Sequence, residues 1–286
     1  MTVRNERADD LIQRMFGAAL RAFLVGVVFS IPAFLLPQAS PDAVQMAAVF
    51  SLIAAGLTFA EYTSNYPSLI EFREAPPYNR MRFVALFVTV LMLTLIARDA
   101  TYPTAFNAFL AGLGRVVGGA MDFPFSPVRL MVLLVPEGAE QAQFETVRVF
   151  AGLAYLVSLL SLLVFTAIVR LLDWPIRHGA FNFWVNLPLF DPTAGGDVLY
   201  RLKRDSHVNV ALGFLLPFAI PAILQLASSL AVPLSMNDPQ SLIWMMSAWA
   251  FLPASLIMRG VALMRIADLI EEKRRRAYAQ AELQVA

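Results

Sequence analysis

Cysteine is absent from this 286-residue chain, which excludes disulfides, thiolate metal sites and cysteine nucleophiles together. Histidine is almost absent as well. His178 and His207 lie far apart, whereas zinc sites need His or Cys pairs a few residues from one another. Charge is scarce: 15% of residues are Asp, Glu, Lys or Arg, against about 25% in a soluble domain. The chain is instead rich in apolar residues, at 58% with a mean hydropathy of +0.64. They cluster in long runs, which is the pattern of a polytopic membrane protein. The first run begins near Phe16, lacks a small-residue cleavage site and ends in Pro32 and Pro37. It therefore reads as a retained helix rather than a signal peptide.

The fold class expected is all-α, a single membrane domain with six transmembrane helices near residues 18–36, 43–60, 83–97, 149–169, 208–234 and 241–258. The third span has only 15 apolar residues against the roughly 20 that cross a bilayer. Arg82 and Arg98 are accordingly expected to snorkel towards the interface, or the bilayer to thin locally. Between helices 3 and 4, residues 99–147 form an outer-face segment. Ala105–Met121 is apolar but carries Arg115 and four glycines, and Pro127–Pro136 is too short to span. Both read as interfacial or re-entrant pieces. The fifth span contains Pro217, Pro221 and Pro233, which implies a kinked helix whose freed carbonyls need other partners.

Orientation follows from the basic residues. With six spans and both termini cytoplasmic, 18 of the 22 Lys and Arg lie inside. The other four all fall within residues 98–148. The positive-inside rule then places loops 61–82 and 171–207 and the basic tail 259–286 in the cytoplasm. An inner-type membrane, taken as the bacterial inner membrane, is the expected location.

Few motifs suggest chemistry. GLGRVVGG at 112–119 lacks the third glycine and the βαβ context of a dinucleotide fingerprint. Its Gly114 and Gly118 form a GxxxG, whose physical use is close helix approach. GGD at 195–197 sits outside any span and has no second membrane aspartate to work with. The central loop 171–207 holds both histidines, two of the four tryptophans and a basic knot. Trp174, Arg177, His178, Trp184, Arg201, Lys203 and Arg204 are the candidate lipid- or partner-binding residues, because aromatics and arginine dominate interface hot spots. An interfacial aromatic belt is the competing reading. Asp197–His207 reads as a short helix along the inner surface, its acid at the positive end of the helix dipole.

The cores of the six expected spans contain no Asp, Glu, Lys, Arg or His. Intramembrane ionisable groups mark proton relays, ion pathways and coupled transport, so their scarcity argues against a pump or ion-coupled transporter. The expected role is non-catalytic: an inner-membrane scaffold, assembly factor or accessory subunit that docks partners through its cytoplasmic loops. The alternatives are a permease or flippase for an apolar or lipid-like solute, and an interfacial enzyme acting on lipid head groups. Membrane lipids and other membrane proteins are the expected partners, with no nucleic acid, metal or other cofactor.

Overall fold

In hydrocarbon a backbone must satisfy its hydrogen bonds within its own segment, so long apolar runs close into helices. The structure, a computed structural model, describes residues 2–285 apart from 38, 137, 173, 176–180, 192, 194, 231–235 and 237, with side chains from 12 to 283. Its described elements are helices α1 (Thr2–Leu35), α2 (Pro41–Thr63), α3 (Tyr78–Asp99), α4 (Ala105–Met121), α5 (Pro127–Val132), α6 (Gln141–Leu171), α7 (Phe183–Asn186), α8 (Val198–Leu230) and α9 (Pro239–Val285). Six stretches are long and apolar enough to cross a membrane: Ile12–Leu35, Pro41–Thr63, Tyr78–Asp99, Gln141–Leu171, Val198–Leu230 and Pro239–Leu283. The chain is an all-α polytopic membrane protein.

Several boundaries move outward from the apolar runs, because a helix continues through polar flanks as long as its backbone bonds continue. α3 has 22 residues, its helix continuing through the polar flanks of the apolar run. The Arg82 guanidinium lies over the rings of Tyr78 (5.3 Å) and Phe251 (5.7 Å), between α3 and α9. Residues 198–207 are not a separate surface helix but the first turns of α8, capped by Asp197 through the Leu199 N–H (3.1 Å). The tail likewise continues the sixth span as one helix of 47 residues.

α9 is the spine of the bundle, packed against α8, α6 and α3, while among the described helices α2 packs on α1 alone. Glycine sets the closest approach at two crossings. A Cβ on Gly213 would lie 2.6 Å from the Pro253 carbonyl, and one on Gly260 would lie 2.8 Å from that of Ser206. The Ser206 hydroxyl donates to the Gly260 carbonyl at 2.7 Å across the same seam. Gly114 and Gly118 of α4 face α6 in the same way, and a Cβ on Gly152 would stand 2.5 Å from the Gly118 Cα. α5 is wedged between α6 and α8, with Val128 and Met131 fully buried. The expected kink carbonyl is also found. Pro221 supplies no N–H to the Pro217 carbonyl, which accepts instead from Trp249 Nε1 of α9 at 3.0 Å.

Candidate functional site

One end of the bundle gathers the loops 64–77 and 172–197, the ends of α2 and α6 and the starts of α3 and α8. On this loop face several polar groups are bonded within the chain rather than left to solvent. Glu61, near the end of α2, folds the first loop around its carboxylate. It accepts the N–H groups of Ser68 (3.0 and 3.1 Å), Leu69 (2.9 Å) and Ile70 (3.0 Å) and the Ser68 hydroxyl (2.6 Å). Arg73 donates to the carbonyls of Glu61 and Ser64, both at 2.7 Å. Burial pulls its guanidinium below the ordinary arginine range, with Glu74 opposing. Arg14 of α1 reaches the same loop at Asn65 Oδ1 (3.0 Å) and the Ser64 carbonyl.

The two loops are clasped together by Asn186 and Trp174. Asn186 Oδ1 accepts from the Glu74 N–H (2.9 Å), and its carbonyl accepts from the Phe72 N–H (2.6 Å). Trp174 Nε1 donates to the Pro76 carbonyl at 3.1 Å, while Arg265 of α9 donates to the Trp174 carbonyl at 3.1 Å. Phe72 sits at the centre in the left-handed region (φ 53°), 1% exposed. Its ring lies 4.5 Å from Tyr78 and 5.7 Å from Trp174. A bulky residue at positive φ stores about 1–3 kcal/mol of strain, and persists only where its surroundings hold it. Beneath it Arg259 grips Glu71 with both prongs of its fork, at 2.5 and 2.7 Å.

The candidate binding residues are dispersed across this face. Trp174 is buried as a clasp rather than displayed, and Trp184 on α7 is exposed. Arg177 and His178 lie outside the described residues. Arg201 lies over the Phe190 ring at 4.6 Å and donates to the Asp191 carbonyl at 2.9 Å. Lys203 pairs with Glu271 of α9 at 2.6 Å, and Arg204 with its neighbour Asp205 at 3.1 Å. Much of the basic knot therefore joins the start of α8 to the loop and to the tail. A second tie is Arg274 to Asp197 at 3.0 Å. The Leu199 N–H, then Arg274, hold the Asp197 carboxyl below the ordinary aspartate range.

Sequence reasoning did not identify Glu61, Glu71, Asn186 or Arg259. Glu71 in a proline-rich aromatic loop and Arg259 where apolar sequence ends were the available signals, but nothing local pairs them across 188 positions. Among the described residues no three of His, Asp and Glu gather closely enough to hold a metal ion. Comparison with family models, curated proteins and solved structures finds no match to this chain.

Proposed function

We propose that this protein is a non-catalytic scaffold, assembly factor or accessory subunit of a membrane complex. It resides in the bacterial inner membrane with both termini and the loop face cytoplasmic, and it docks a partner protein there. The observation that carries this reading is the length and surface of α9. Its 47 residues at 1.5 Å each extend about 70 Å, against a hydrocarbon core of about 30 Å. Every described side chain from Lys273 to Leu283 is exposed. A helix exposed all round buries nothing of its own, and bridging to another domain is one use of such a helix. Lys203 and Asp197 fix its direction where it leaves the platform. The basic run Lys273–Arg276 fits an acidic partner surface.

The alternatives have less support. The carbonyl freed by Pro221 is bonded to Trp249 rather than open to a solute. Arg201 and Lys203 are engaged within the chain rather than free for a head group. Purification in mild detergent tests the proposal, comparing wild type with a variant carrying glutamine at Lys273, Arg274, Arg275 and Arg276. The wild type retains a stoichiometric protein partner and the variant loses it while still inserting. Loss of bound anionic lipid alone, with no protein retained by either form, overturns the reading in favour of simple membrane anchoring.

A further inference from the structure

α6 and α8 pack against α9 from two sides, with no described Cα of one within 8 Å of a Cα of the other. They leave a groove floored by α9. At the far end it is closed, where α5 packs against both walls and Tyr155 of α6 stacks on Trp249 (5.6 Å), itself bonded to Pro217 of α8. At the loop end it opens into a cavity of about 460 Å³ lined by Arg170, His207, Arg265 and Asp268 above apolar Val210 and Val261. We propose that this groove binds one membrane phospholipid with an ethanolamine head group. The phosphate sits between Arg170 and His207, the ammonium on Asp268, and an acyl chain lies along α9.

Three observations support this occupant. The first is length: Trp249 to Gly260 spans eleven residues of α9, about 17 Å, close to the roughly 15 Å half-thickness of a hydrocarbon core. The apolar floor therefore matches one leaflet, and the polar mouth falls at head-group depth. The second is available polar groups. Arg170, His207 and Asp268 are exposed at the mouth and make no hydrogen bond with another described residue, Asp268 feeling Lys203 only at a distance, whereas Lys203 itself is paired with Glu271 and Arg265 donates to Trp174. The third is sign. An arginine and a carboxylate at one opening suit a zwitterion better than a simple anion, because the Asp268 carboxylate repels an anion and attracts an ammonium. Arginine's fork also suits phosphate.

The test uses the full chain stripped of lipid in detergent. Palmitoyl-oleoyl phosphatidylethanolamine, phosphatidylglycerol and phosphatidylcholine are added separately, and bound lipid is read by native mass spectrometry. Wild type binds one phosphatidylethanolamine in preference to the other two. Arg170→Gln weakens this about tenfold, the scale of one charge-assisted contact. Asp268→Asn reduces phosphatidylethanolamine to the level of phosphatidylcholine, and Val261→Trp, which fills the groove, removes the adduct. Both mouth variants sit on the surface and keep the lipid-free unfolding midpoint, so their result stands even if Val261→Trp folds poorly. Equal retention by wild type and both mouth variants overturns the proposal, since annular lipid then explains any adduct. Stronger binding of phosphatidylglycerol than phosphatidylethanolamine also overturns it.

Discussion

Replacing Trp249 by phenylalanine removes one N–H from the middle of the bundle, and Pro221 determines how much that matters. Trp249 is 2% exposed, and its indole donates at 3.0 Å to the Pro217 carbonyl. In an unbroken helix residue 221 would bond that carbonyl, but proline cannot. Trp249→Phe therefore orphans a buried acceptor, a loss of about 1–3 kcal/mol by the general scale. Interhelical bonds measured within membranes are smaller, averaging about 0.6 and reaching about 1.7 kcal/mol. The substitution also weakens the stack on Tyr155, by about 0.5–1.5 kcal/mol. Pro221→Ala separates the two effects, because alanine returns the N–H and gives the Pro217 carbonyl its own helical partner. In that background Trp249→Phe should lose only the packing part. The expected coupling in the double-mutant cycle is about 1 kcal/mol, bounded by the membrane values. The assay is reversible unfolding in mixed micelles by dodecyl sulfate titration, followed by helical circular dichroism because the variant alters tryptophan fluorescence. Coupling within the roughly 0.3–0.5 kcal/mol scatter of independent sites would refute the reasoning.

Four further expectations use the same chain. Glu71→Gln and Arg259→Gln each lower stability by about 3 kcal/mol in that titration, as breaking a buried ion pair does, and the double variant loses less than their sum. Gly152→Ala, whose Cβ would stand 2.5 Å from the Gly118 backbone, costs about 1–3 kcal/mol. Gly56→Ala, with nothing within 4 Å, is neutral or gains up to about 1 kcal/mol, and equal losses at the two glycines would dismiss the contact. In this cysteine-free chain, Tyr102→Cys should react with an impermeant maleimide in whole cells and Tyr66→Cys should not; the reverse pattern would invert the orientation. Because the folded Asp197 pKa is depressed, its contribution is present above the ordinary aspartate value near about 4 and is lost as pH falls through the lowered one. A probe on Ala281→Cys should thus show constant mobility between about pH 5 and pH 8. Asp197→Asn should raise that mobility across the range, and no change on substitution would remove the tie to Arg274.

The six spans were legible because hydropathy reports what hydrocarbon tolerates, and each expected span lies in one of the long apolar helices, except Leu36, just past the end of α1, and residues 231–234, which fall outside the described residues. Their ends were not, since hydropathy is blind to backbone bonding. It placed boundaries near 208 and 258, inside α8 and α9. Gly114 and Gly118 announced a close approach because both lie on one helix at a recognisable spacing. Gly213 and Gly260 do comparable work from two different helices, so no local pattern marks them. Pro221 revealed a needy carbonyl but not its donor, 32 positions from Pro217. Trp174 shows the limit of composition. Its loop is aromatic and basic, as a docking surface or an interfacial belt would be, yet its indole is spent holding the Pro76 carbonyl. Arg170 and Asp268 were passed over because they line one cavity only once α9 has packed between α6 and α8.

The loop face is far more ordered than connection alone demands. A flexible link between helices is cheap, since doubling its length adds only about 0.6 kcal/mol of closure entropy. Residues 61–77 instead hold a buried phenylalanine at positive φ, a carboxylate accepting three backbone N–H groups, and a two-pronged ion pair to α9. Each fixes shape, and none contributes to crossing a bilayer. Through Asn186 and Trp174 the second loop takes its shape from the first, and through Arg259 and Arg265 both are locked to α9. The helix that projects beyond the bundle is the same helix that anchors the loops. A force on the exposed tail is therefore borne by Glu71 and the Trp174 carbonyl, at the centre of the platform. That continuity lets tail and platform present one surface of defined geometry, which a docking role requires and a simple basic anchor does not.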